Sequence, residues 1–262
     1  MSTAAPITID TARPGVPLGR LIKVELRKMF NTRSGFWLML SIAIVAAIAT
    51  VAIIIFADGD DLSFGLFAQG IGIPMAIVLP VIAILSVTSE WSQRTGLITF
   101  TLVPHRGSII AAKAIAAIIV GIAGMLIAYA IGALGNIGGS AIAGVDPVWD
   151  TSLVNLVTII LANVLGLLIG FTLGVLIRNS AGAIVGYFVY SFVIPSILGF
   201  LAFSQDWFEK LQPWIDFNDA TLPLFDGGPS GEEWAQIGTS GLIWLVIPMT
   251  FGIWAVLKSE VK

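Results

Sequence analysis

The sequence predicts an all-α membrane protein: six transmembrane helices preceded by an amphipathic interfacial helix, with both termini cytoplasmic. Composition is the first reason. Of 262 residues, 57% are hydrophobic and only 11% charged, and the mean hydropathy is +0.97. A soluble domain is nearer about 45–50% apolar and about 25% charged, so this surplus of apolar surface must face lipid. Pattern is the second reason. A spanning helix needs about 20 mostly apolar residues, and six such stretches run near 36–56, 67–88, 111–134, 153–177, 181–203 and 237–257. Charge placement is the third. Twelve of the thirteen Lys and Arg residues fall on one side of this six-span arrangement, with Lys210 alone on the other. The opposite side holds Asp58, Asp60, Asp61, Asp146 and Asp150. An excess of basic residues marks the cytoplasmic side, which places both termini there and predicts a multi-pass protein of the inner or plasma membrane.

Taken in order, residues 1–18 are rich in Ala, Pro and Thr and have no cleavable apolar core, so they read as a disordered cytoplasmic tail. Residues 19–34 form the interfacial helix. At about 100° per residue, Leu18, Leu21, Ile22, Leu26, Met29 and Phe30 share one half of the wheel. Arg20, Lys23, Arg27 and Lys28 share the other, the layout of a helix lying in the headgroup layer. Its simpler role is an anchor drawn to anionic lipid; its sharper one adds contact with a cytoplasmic partner. Glu25 lies inside the apolar arc, where a lone carboxylate is costly unless paired. A basic partner is therefore expected for it, in this chain or on a cytoplasmic subunit. The transmembrane domain occupies residues 35–258, followed by a short tail at 259–262. Lys113 is the only charge within the six apolar stretches and sits near enough to a helix end to snorkel.

Several functions are excluded by absence. With no cysteine and one histidine, thiolate chemistry and His-rich metal sites have no residues to work with. No G-x-x-x-x-G-K-[ST] sequence occurs, so the chain carries no Walker-type ATP site of its own. No span holds the buried Asp, Glu, His or Arg of proton relays and voltage sensors. A net charge of −3 gives no reason to expect nucleic acid. Chemistry or motive force must come from a partner.

The connection after the second span is the most informative stretch. It reads Ser89-Glu90-Trp91-Ser92-Gln93-Arg94-Thr95-Gly96, then Leu102-Val103-Pro104-His105-Arg106, then Ala112-Lys113. Glu90 and Arg94 stand at i, i+4, which supports a short helix leaving the bilayer, and Pro104 ends it. A tight basic turn would need only a handful of residues, whereas this connection takes some twenty. The order Glu90…Thr95…Leu102-x-Pro104-x-Arg106…Ala112-Lys113 resembles the cytoplasmic signature of ABC-2 type permeases, the membrane subunits of ATP-binding-cassette exporters. The helix carrying Glu25, Arg27 and Lys28 is similar to that family's N-terminal interface helix, and six spans with a long outer loop before the last agree with it. The resemblance implies docking of residues 90–106 onto a separate ATPase subunit, with Glu90, Trp91, Arg94, Thr95, Pro104, His105 and Arg106 as coupling residues. It also implies pairing with a second, identical or related permease. ATP and Mg would bind the ATPase and no cofactor this chain; Trp91 and Gln93 make the segment less charged than the family pattern.

The outer loop at 204–236 interleaves Trp207, Phe208, Leu211, Trp214, Ile215 and Phe217 with Asp206, Glu209, Lys210 and Asp216. This mix predicts short helices at the outer headgroup layer, where Trp is favoured, broken by Pro213, Pro223 and a Gly227-Gly228-Pro229 turn. They serve either as aromatic anchors or as an outer gate. Gly166, Gly170 and Gly174, and Gly182 and Gly186, recur at four-residue spacing and predict close helix packing. Pro74, Pro80, Pro195 and Pro248 favour kinks. Asn155, Asn163, Tyr187 and Tyr190 are candidate residues lining a transport path, and interhelical hydrogen bonding accounts for them equally well. So apolar a path suits a lipid-like or amphipathic cargo. The first expectation is thus an exporter permease; the alternatives are a membrane scaffold that recruits a cytoplasmic protein and a stand-alone carrier.

Overall fold

The computed structural model describes residues 16–92 and 106–258. Among them six helices are long and apolar enough to cross a membrane, and no strand forms beyond a single bridge between Ser63 and Val148. Helix α1 (Leu18–Asn31) precedes the first span, α2 (Arg33–Phe56). The next three spans are α3 (Phe64–Ser92), α4 (Arg106–Ala143) and α5 (Leu153–Ile177). The fifth, α6, runs Ser180–Ser204. Short helices α7 (Asp206–Glu209), α8 (Gln212–Ile215) and α9 (Phe217–Ala220) and a 3-10 turn at Leu222–Phe225 lead to the sixth span, α10 (Gly231–Lys258).

The α1–α2 junction is set by two residues. Thr32 accepts the Gly35 N–H at 3.1 Å and so caps α2. A Cβ on Gly35 would collide with the Met29 carbonyl, so only glycine lets the two helices meet this closely. The core lies between α3, α4 and α5, where Phe67, Ile71, Met75, Leu79, Met125, Leu167 and Phe171 are fully buried. Gly170 fits against Pro80, whose carbonyl oxygen would stand 2.6 Å from an added Cβ, and Gly174 lies against Ile84. The glycine stripe of α5 therefore seats α3 within the one chain.

Helix α4 continues nine residues beyond the expected end at 134. Gly135 and Gly139, beyond that expected end, pack tightly: an added Cβ would meet Thr50 and Phe67 at the first and Ile54 at the second. Helix α10 begins earlier than expected, at Gly231. There Ser230 and Glu233 form a capping box, so a stretch rich in acid opens a helix instead of extending the loop. Pro74 and Pro80 sit within continuous α-helix in α3. Pro195 and Pro248 instead each follow a π-helical turn, Val189–Val193 and Leu242–Val246. A proline has no N–H to donate, and the wider turn before it takes up the missing bond.

Candidate functional site

Four charged side chains meet at the end of the bundle that carries α1. Lys113, from α4, is 6% exposed; its Nζ donates to Glu25 Oε2 at 2.6 Å and lies 3.2 Å from Glu90 Oε1. It also donates to the Ser86 carbonyl at 3.4 Å. Lys28 Nζ donates to Glu25 Oε1 at 2.7 Å and to Glu90 Oε1 at 3.3 Å. Glu25 (8% exposed) and Glu90 (5%) are thus each bound by both ammonium groups. Three chain segments far apart in sequence are joined: the middle of α1, the end of α3 and the start of α4.

The amphipathic pattern explains why α1 brings a carboxylate here. Leu21, Ile22, Leu26 and Met29 are half-buried against the bundle, and Glu25 lies in the same arc while Arg20, Lys23 and Arg27 stay exposed. Glu25 thus has the basic partners its position demanded, both within this chain. Burial pushes its carboxyl up, but the Lys113 and Lys28 ammonium groups outweigh that and hold it below its ordinary value. Burial likewise presses the Lys28 ammonium down, and the Glu25 and Glu90 carboxylates more than compensate, holding it above its ordinary value.

Two expectations need correction. Lys113 does not snorkel: two buried carboxylates hold its ammonium inside the protein. Lys28 does lie on the exposed face of α1, and its long stem still carries the charge across to Glu25 and Glu90. Glu90 is not displayed on an open surface for a partner; its carboxylate is consumed within the chain. Trp91, the next residue, is half-buried against the α2–α5 core.

Arg106 opens α4 and donates from a guanidinium nitrogen to the Val256 carbonyl near the end of α10, at 3.1 Å. Both stems of the connection after the second span are therefore tied to other helices, Glu90 to α1 and α4, and Arg106 to α10. Arg94, Thr95, Pro104 and His105 lie outside the described residues.

The four pathway candidates separate. Tyr187 and Tyr190 line one cavity between the helices and the loop before the sixth span, and Tyr187 donates to the Ala76 carbonyl of α3. Asn155 and Asn163 do not line it. Asn155 Oδ1 accepts the Gly227 N–H at 3.2 Å and ties the long loop to α5. Asn163 is 1% exposed; its amide donates to Ile159 O within its own helix, and Oδ1 has no partner among the described residues. Asp216 and Asp219 share the cavity with the tyrosines, a grouping that arises only because the loop folds back onto α5 and α6.

Six spans, an amphipathic lead-in helix and a long connection with anchored stems are thus in place. A family model described as ABC-2 family transporter protein matches residues 21–194, two-thirds of the chain. The chain belongs to the ABC-2 transporter family. No curated protein matched. The matched region takes in α1 through the first π-helical turn of α6, and with it the whole Glu25–Lys28–Glu90–Lys113 cluster. Membership makes this a multi-pass membrane protein of transport, and the spans at 36–257 are its permease body.

Proposed function

We propose that the chain is the permease subunit of an ABC exporter, forming the substrate pathway and taking its drive from a separate ATPase subunit that binds ATP and Mg. The observation that carries the reading is the double anchoring of the connection after the second span. A push on residues 93–105 has two outlets: through Glu90 into α1 and α4, and through Arg106 into α10. Closure of the ATPase would in this way move both sides of the bundle together and switch the access of the pathway. Glu90 acts from inside, as part of the transmitting cluster, while Arg94, Thr95, Pro104, His105 and Arg106 supply the contact with the ATPase. Arg27, exposed on α1, adds a basic contact of its own. The distribution of Lys and Arg supports a cytoplasmic location for this end and for both termini.

The exposed apolar surfaces of α2, α6 and α10 support assembly with a second permease, identical or related, among membrane lipid. The test is transport by the complex in proteoliposomes. Glu90→Ala with Arg106→Ala is expected to abolish ATP-driven export while membrane insertion and ATP binding by the partner persist. Undiminished export by that variant would overturn the coupling route.

A further inference from the structure

A cavity of about 410 Å³ lies between α3, α5, α6 and the loop that precedes α10, a size within the roughly 300–1,000 Å³ of small-molecule sites. Its walls are of two kinds. One is apolar and aromatic, from Tyr187, Tyr190, Phe217 and Phe225; the other is acidic, from Asp216 and Asp219, and no Lys or Arg is among the lining residues. Asp216 is 1% exposed and is held in place, its Oδ1 accepting the Asn218 N–H at 3.0 Å and its Oδ2 the Gln212 amide at 3.3 Å. Asp219, half-buried, has no side-chain hydrogen bond and no ion pair among the described residues. Burial first, and the charge of Asp216 second, hold its carboxyl above its ordinary value, so a positive charge arriving between the two would be favoured.

The wall itself is unusual. Tyr190 and Ser191 belong to the π-helical turn Val189–Val193, and Pro195 just after it also faces the cavity. Ser191, half-buried, sets its hydroxyl beside the Tyr187 phenol on this wall. Trp244, in the second π-helical turn, packs its ring 5.2 Å from that of Tyr190 and donates to the Ile215 carbonyl at 2.7 Å, which fixes the loop against the wall. Such turns are rare and gather at functional sites. We propose that this cavity binds an amphipathic organic cation, its charge held by Asp216 and Asp219 and its apolar body by Tyr187, Tyr190 and Phe217. Aromatic faces add their own attraction for a cation. A hard metal ion is the poorer fit, since it needs six or more oxygen ligands and no group of three or more metal-binding side chains occurs among the described residues.

The site goes beyond the transport reading and does not depend on it, because binding is measured on this chain without ATP or an ATPase. The probe is tetraphenylphosphonium, titrated onto the purified chain in phosphatidylcholine nanodiscs and followed by tryptophan fluorescence, with tetraphenylborate as a probe of the same shape and opposite charge. The phosphonium is expected to bind saturably and the borate not. Asp219→Asn, which removes a charge but no hydrogen bond, should weaken phosphonium binding about fivefold or more, with unchanged thermal unfolding. Asp216→Asn with Asp219→Asn should weaken it further; if that pair fails to fold, Asp219→Asn alone decides. Equal affinity in Asp219→Asn, equal binding of the borate, or displacement of the phosphonium by millimolar Mg²⁺ or Ca²⁺ would overturn the assignment.

Discussion

Lys113 and Lys28 bind the same two carboxylates, yet they differ in what their removal should cost. Lys113 is buried, and its loss would leave two buried carboxylates, Glu25 and Glu90, sharing the single half-exposed ammonium of Lys28. Lys113→Ala is therefore expected to destabilise the protein by about 3–5 kcal/mol. The Lys28 side chain is 45% exposed, and water screens what it contributes, so Lys28→Ala should cost about 0–1 kcal/mol. Thermal or denaturant unfolding in detergent measures both, and equal effects would contradict the distinction. The pH dependence follows from the same groups. Glu25 is held below its ordinary value, so its stabilisation is complete above the ordinary carboxylate range and is lost as pH falls through the depressed value. Lys28 is held above its ordinary value, so its share is complete below the ordinary ammonium range and is lost as pH rises through the elevated one. The contribution of these two groups is thus level between about pH 5 and pH 10. Glu25→Gln should lower the unfolding midpoint at neutral pH and reduce its fall on acidification, whereas an acid limb identical to that of the unaltered chain would contradict the assignment.

At the scale of elements, glycine does its work where helices touch. Gly170→Ala would place a Cβ 2.6 Å from the Pro80 carbonyl oxygen, forcing α3 and α5 apart at the centre of the core. A loss of about 1–3 kcal/mol is expected from such overpacking. Gly138→Ala, where an added Cβ meets nothing, is the matched control within α4 and should be neutral or slightly stabilising. Unfolding midpoints of the pair check the contrast. The same glycines show how far the sequence could be read. Apolar length located all six spans, since nothing else in a chain of this composition competes for those stretches. The run from Gly135 to Gly144 falls outside the expected span because it is rich in glycine, although Gly135 and Gly139 are spent on close packing against α2 and α3. The need of Glu25 for a cation was legible because a carboxylate in an apolar arc has no other way to be tolerated. That Lys113 answers it was not: distance to a helix end suggested snorkelling, and only the folded chain brings residues 25, 90 and 113 together. Asp216 looked like a headgroup-layer acid for the same reason, until the loop's return onto α5 and α6 set it beside Asp219 in a cavity wall.

On the scale of the whole molecule, the spans divide into a buried trio and an exposed one. Helices α3, α4 and α5 pack into a shared core, while α2, α6 and α10 turn most of their apolar surface outward, as with Phe188, Phe192, Ile197, Phe200 and Phe203 of α6. The ion cluster sits where the core trio meets α1, and the Arg106–Val256 bond reaches the outer trio. A displacement of the segment between Glu90 and Arg106 is in this way shared between core and periphery. The absence of cysteine from the chain allows the central claim to be tested without background reactivity. Thr95→Cys, labelled with benzophenone-maleimide and irradiated in native membranes, is the most direct measurement. A covalent adduct with a Walker-motif ATPase is expected, absent from a control labelled at Gly228→Cys on the opposite end. Recovery of the ATPase with this permease but no adduct at Thr95, or an adduct only at the opposite end, would contradict it.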